Sequence, residues 1–185
     1  MESPAREKFK KEIEPKLRKD LGLKNNFAGP KPVRAILQIG VGKMVIQSAE
    51  NKEKILTEAG FVLNQISGQK PALVKAKKSV AGFKLREGQP VALMATLRRG
   101  RLFDLIDRLT TYVLPRIRDF RGLTEKNFDR DGNINLGFRE VSIFPEAISD
   151  KIRMNFGLQI TIIGKSKNKE EKIKLWQSLG FPVKN

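Results

Sequence analysis

Apolar residues fall into two rhythms along the chain. Phe9, Ile13, Leu17 and Leu21 recur every four positions, which predicts a helix over residues 4–21 with one buried stripe. Pro15 stands inside it, where a missing N–H and a ring clash kink or divide a helix, and Gly22 is a natural stop. From residue 33 the period changes to two. Val33, Ala35, Leu37 and Ile39 point one way and Arg34, Ile36 and Gln38 the other, as in a strand with one apolar face. Gly40 and Gly42 mark a turn, and Ile55, Ala59, Val62 and Ile66 return to helical spacing over about 50–66. Val91, Leu93, Ala95 and Leu97 alternate with Ala92, Met94, Thr96 and Arg98 in a second strand. Leu102, Leu105, Ile106, Leu109 and Val113 predict a helix ending before Pro115. Further strands are expected at 134–138, 141–144 and 158–163. A last helix, about 168–179, is expected to bury Ile173, Trp176 and Leu179.

This order of elements predicts an α+β fold: one domain over 1–185, a mainly antiparallel sheet with helices packed on one face, and an N-terminal helical segment over 1–22. The other face then carries Arg34, Gln38, Thr96 and Arg98, with Gln159 and Thr161. Such a face is either ordinary solvated surface or one that meets phosphates, 2′-hydroxyls and base edges; the pattern alone leaves both open.

Charge moves the balance. Lys and Arg number 37 against 20 Asp and Glu, a net charge of +17. That self-repulsion is relieved by a polyanionic partner, of which nucleic acid is the commonest; an anionic membrane and a solubility-driven surface are the rivals. The chain has no Cys and no His, which removes thiolate, disulfide and imidazole chemistry and the usual zinc sites. No apolar run approaches the length of a membrane span. The opening MESPAREKFKKEIEP mixes both charges and lacks an apolar core, so it does not read as a signal peptide, and a cytoplasmic location is expected. No cofactor, no metal and no catalytic residue is expected. A stand-alone RNA-modifying enzyme or regulatory RNA-binding protein would need a site that no pair of carboxylates here suggests.

Between Lys70 and Arg101 lie nine basic residues (Lys70, Lys75, Lys77, Lys78, Lys84, Arg86, Arg98, Arg99, Arg101) and a single acid, Glu87. Gly82, Gly88 and Gly100 punctuate the stretch, and residues 70–90 read as an exposed, mobile hairpin-like loop suited to phosphate contact. Phe83 within it either stacks on a base or packs. A second basic group, LPRIRDFRG, sets Arg116, Arg118 and Arg121 around Asp119, and serves either a partner or an Arg–Asp network that fixes the loop. IGVGK lacks the Walker and dinucleotide spacings. Asp129, Asp131, Asn133 and Glu140 imitate a calcium-loop register, but Ile134 stands where that loop requires Gly, which favours a plain Asp-Gly turn. Tyr112 and Trp176 sit on apolar helical spacings, as core or rim residues do.

Longer strings carry a resemblance. EIEPKLRKDLG, SGQKPALVKAKKSVAGFKLREGQP, TLRRGRLFDLIDRL, LPRIRDFRG, KNFDRDGNINLGFRE and IFPEAISDK, followed by FGLQITI and LGFP, resemble in order the bacterial-type large-subunit ribosomal protein five family. The resemblance implies a curved antiparallel sheet and a non-enzymatic role in the large ribosomal subunit, with large-subunit rRNA and neighbouring subunit proteins as partners. It implies 5S rRNA bound in the central protuberance through Gln38, Gln69 and Thr96, and through the basic Arg34, Lys70 and Arg98 beside them. Gln38 replaces the family's usual Asn. The resemblance further implies that the loop bearing Lys75, Lys77, Lys78, Ser79, Phe83, Lys84 and Arg86 faces P-site tRNA. It implies that Arg116, Arg118, Asp119 and Arg121 lie in a loop that bridges to a protein of the small-subunit head.

Overall fold

Strand periodicity is realised in five segments: Lys31–Gly40 (β1), Ala72–Lys75 (β2), Pro90–Arg98 (β3), Ile134–Phe138 (β4) and Leu158–Lys165 (β5). They form one antiparallel sheet in the order β2-β3-β1-β5-β4. These come from a computed structural model, which describes residues 4–22, 25, 29–118, 120–148, 152–166 and 168–184. Helix α1 runs through three consecutive stretches, Pro4–Lys8, Phe9–Ile13 and Glu14–Asp20. Helices α2 (Gly42–Gln47) and α3 (Lys52–Ser67) follow β1. Helix α4 is again threefold (Gly100–Arg108, Leu109–Val113, Leu114–Arg116), and α5 is Lys169–Ser178. The fold is α+β, as the pattern predicts.

The chain divides into two compact units. One holds Met1–Ala35, Leu97–Leu136 and Thr161–Asn185, and the other Ile36–Thr96 and Gly137–Ile160. In the first, Phe9 of α1 meets Phe103 of α4 with ring centroids 5.2 Å apart. Trp176 of α5 is fully buried, and its Nε1 donates to the Gly132 carbonyl at 2.9 Å, which satisfies the one polar atom of the ring. A Cβ on Gly164 of β5 would stand 2.9 Å from that indole, so α5 lies close on the buried side of the strand. In the second unit, α3 buries Ile55, Ala59, Val62, Leu63 and Ile66, and Gly60 places it against Leu93 of β3. In each unit, then, a helix closes over the buried side of a strand.

Both prolines predicted to interrupt helices are absorbed instead. Phe9–Ile13 and Leu109–Val113 are π-helical, and each opens six residues ahead of its proline, Pro15 or Pro115. Glu14 and Leu114 donate their N–H five residues back, to Phe9 and Leu109. The wider turn moves aside the carbonyl that the proline ring would strike and leave unbonded. Helix α1 is therefore undivided, and α4 continues to Arg116 rather than ending before Pro115.

Other departures are smaller. Residues Val141–Ile143 form a 3₁₀ turn instead of a strand, and after Phe144 a second such turn follows at Pro145–Ala147. The turn at Gly42 opens a short helix, with Val41 N–H bonded to the Val91 carbonyl at 2.9 Å. The buried stripe of α5 runs through Lys172, Leu175 and Trp176; Ile173 and Leu179 are half-buried. Val33 is 41% exposed instead of core, since the buried side of β1 begins at Ala35.

Candidate nucleic-acid interface

In the unit of Ile36–Thr96 and Gly137–Ile160, strand alternation leaves Gln38 exposed and Thr96 half-buried on the sides of β1 and β3 away from the core. Helix α3 ends at left-handed Gly68, and the chain then turns so that Gln69 reaches β3. The Gln69 Nε2 donates to the Thr96 carbonyl at 3.1 Å. Ser67 Oγ holds the same residue from behind, donating to its carbonyl at 3.0 Å and accepting its N–H at 3.3 Å. The two residues are thus brought together, with part of the Gln69 amide spent on the protein itself. Lys70 and Gln159 are exposed.

Beyond β2 and β3 the basic stretch is a built hairpin. Ala72 pairs with Met94 and Val74 with Ala92, and a bulge follows at Lys75. Ala76 N–H bonds Gln89 O at 2.8 Å and Gly88 N–H bonds Ala76 O at 3.0 Å. Val80 and Leu85 exchange backbone bonds of 2.9 and 3.2 Å around a 3₁₀ turn, Ala81–Phe83, closed by left-handed Lys84. Ser79 Oγ accepts the Glu87 N–H and Gln89 Oε1 the Arg86 N–H. With the backbone so occupied, Lys75, Lys77, Lys78, Lys84 and Arg86 are all exposed. Phe83 does not pack: it is 77% exposed at the tip.

In the unit of Met1–Ala35, Leu97–Leu136 and Thr161–Asn185, Arg34 and Arg98 are exposed. Thr161 Oγ1 instead donates to Asn135 Oδ1 on β4 at 2.8 Å. Arg99, directly after β3, has φ 54° and ψ −128°. That region suits glycine and costs a residue with a Cβ about 1–3 kcal/mol.

Arg116 and Arg121 are exposed and Arg118 is exposed as well; Asp119, with the expected Arg–Asp network, lies outside the described residues. The loop is docked by its far end. Leu123 N–H bonds Pro182 O at 2.6 Å and Lys184 N–H bonds Leu123 O at 2.8 Å. Gly122, at φ +100°, leaves room there that a Cβ, 3.0 Å from Pro182 O, would take.

Sequence reasoning missed two polar hubs. Glu58 of α3 is buried and its Oε2 accepts the N–H groups of Arg153 and Met154, each at 3.2 Å. Asn133 is the second. Its N–H and Nδ2 donate to the two Asp129 oxygens at 2.8 Å, and its Oδ1 accepts the Gly164 N–H and Lys172 Nζ. Burial works to raise the Asp129 carboxyl pKa, but the Asn133 side-chain and backbone donors, the Asp131 N–H and the Lys172 charge outweigh it and hold it below the usual aspartate value. The calcium-like register is thus an Asp-Gly turn whose carboxylate is engaged with Asn133. The Glu58 bonds and the two accepted by Asn133 Oδ1 have no signal in local spacing, because those partners are distant in sequence; only the Asp129–Asn133 pair is local.

Family comparison accounts for nearly the whole chain. The model described as ribosomal protein L5 matches residues 29–86, and the model of the same ribosomal family's C-terminus matches 90–183. The chain belongs to the ribosomal protein L5 family. Relatives named large ribosomal subunit protein uL5 include one from Desulfatibacillum aliphaticivorans, 43% identical over 98% of this chain and 99% of its own. Another, from Cupriavidus necator, is 41% identical over 100% of both chains. A third, from Mesoplasma florum, is 42% identical over 98% of each. As an L5-family member the chain is a structural, RNA-binding and non-enzymatic ribosomal protein.

Proposed function

We propose that this L5-family chain is a structural component of the large ribosomal subunit, in the cytoplasm, and binds 5S rRNA in the central protuberance. The observation that carries the binding site is the Gln69–Thr96 bond at 3.1 Å, beside a sheet side that offers Gln38. Lys70, with Arg34 and Arg98 in the other unit, supplies phosphate neutralisation, while the amide and hydroxyl groups suit sugar and base edges. The hairpin of Lys75, Lys77, Lys78, Ser79, Phe83, Lys84 and Arg86 is the arm for P-site tRNA: cations surround a ring exposed enough to stack on a base. Arg116, Arg118 and Arg121, with Asp119, belong to the loop that meets a protein of the small-subunit head. Large-subunit rRNA and neighbouring subunit proteins complete the contacts.

The test is a titration of 5S rRNA against an unrelated RNA of matched length, across salt concentrations. Selective binding that weakens with salt is expected. Equal affinity for both RNAs refutes the 5S assignment.

A further inference from the structure

Ser79 stands apart from the other hydrogen-bonded hydroxyls among the described residues. Thr57, Thr110 and Ser178 donate to carbonyls of their own helices, and Ser142 and Ser166 donate to carboxylates. Ser79 Oγ only accepts, from the Glu87 N–H at 2.9 Å, and the side chain is exposed. Its oxygen is thus held in place across the hairpin while its proton stays uncommitted.

The charges around it are uncommitted too. Val80 pairs with Leu85, which sets Ser79 opposite Arg86. Lys77 and Lys78 directly precede it, and Lys84 closes the turn at the tip. Arg86 and these three lysines are exposed, and none of them forms an ion pair with a described carboxylate. The backbone of the hairpin is closed by its own bonds, so a group added at Ser79 meets a site already formed. A phosphoryl group fits that site. It carries about 1.5 to 2 negative charges at neutral pH and suits a two-point contact with a guanidinium and further bonds from ammonium groups. Its oxygens also accept the Glu87 N–H that Ser79 Oγ now holds.

We propose that Ser79 is a phosphorylation site, and that its phosphate draws Arg86 and the neighbouring lysines back onto the hairpin and away from tRNA. The proposal deepens, and rests on, the reading of this hairpin as the arm for tRNA. In the transfer, Ser79 Oγ forms a bond to the γ-phosphorus of a nucleoside triphosphate held by a serine kinase. The bond from that phosphorus to the bridging oxygen breaks, the nucleoside diphosphate leaves, and the hydroxyl proton passes to a base of the kinase. Nothing is oxidised or reduced.

The experiment places phosphoserine at position 79 of the full chain and measures tRNA affinity across salt concentrations, on rebuilt large subunits and by direct titration of the chain. Ser79→Ala and Lys77→Glu/Lys78→Glu are measured beside it. The phosphorylated chain is expected to lose affinity about 3- to 10-fold, with a salt slope shallower by about one to two ions. Ser79→Ala is expected to stay within about twofold of the parent, since water replaces an exposed acceptor. An equal loss in Ser79→Ala overturns the proposal, because the hydroxyl and not the phosphate then carries the effect. Parent-like affinity in the phosphorylated chain, with a loss in the lysine double variant, overturns it and leaves the arm standing. Parent-like affinity in both overturns the arm, and the proposal with it. Mass spectrometry after incubation with ATP and a serine kinase that reads basic residues ahead of its target is expected to find phosphate on Ser79 of the folded parent. A Ser79 left unmodified overturns the proposal as well.

Discussion

The hairpin after β2 and the corner around Asn133 are both polar turns with lysines close by, yet they spend their polar groups in opposite directions. In the hairpin the backbone bonds are closed internally and every lysine is exposed, with Phe83 bare at the tip. In the corner, Lys172 is buried and donates to Asn133, Asp129 binds Asn133 twice, and Trp176 donates to Gly132. A buried polar group without a partner costs far more than an exposed one. Substitutions in the corner should therefore register as lost stability, and those in the hairpin as lost binding.

The largest expected effect is Trp176→Ala. It removes a fully buried ring and leaves the Gly132 carbonyl without its donor, a loss of about 3–5 kcal/mol measurable by urea unfolding. Asn133→Leu comes next. It strands the Gly164 N–H and a buried lysine ammonium together and should cost about 2–4 kcal/mol. An effect under about 1 kcal/mol would show that the hub is ornamental.

Asp129→Asn should cost less, about 1–2 kcal/mol at neutral pH, and the loss should depend on pH. The carboxyl is held below its usual value of 3.8 in the folded protein, so its contribution is present above that value and disappears as pH falls through the lowered one. The gap between parent and variant in unfolding free energy should therefore be widest near neutrality and close below about pH 4. A gap that stays constant down to about pH 2 would assign the effect to shape instead of charge.

Period-two alternation was enough to find β1, β3 and the outward positions of Gln38 and Thr96, because alternation states a side chain's side directly. It does not state depth. Tyr112 and Trp176 share apolar helical spacings, yet one is 59% exposed and the other fully buried. Proline signals failed for a related reason: a local rule scores the lost bond at Pro15 and Pro115 but not the π turn one step upstream that absorbs it. The Glu58 bonds, the two bonds accepted by Asn133 Oδ1 and the Gln69–Thr96 bond join residues 27 to 96 positions apart, out of reach of any window. The family resemblance implies Gln69 as a binding residue; only the structure reveals that its amide donates to the Thr96 carbonyl of β3.

The smallest stability effects belong to the hairpin. Lys77→Glu/Lys78→Glu reverses two exposed charges and should change unfolding free energy by no more than about 0.5 kcal/mol while weakening tRNA-facing contacts. The same pair should leave 5S rRNA affinity closer to the parent than a Gln69/Thr96 double variant does. Equal losses of 5S rRNA affinity would erase that division. Phe83→Ala should be nearly silent in unfolding, since a ring 77% exposed has little burial to lose. If the ring stacks on a base, its removal should still cost about 1–3 kcal/mol of tRNA-dependent affinity, measured by retention of tRNA on reconstituted subunits. A variant silent in both measurements would make Phe83 a spacer at the tip and leave the lysines as the arm's whole chemistry.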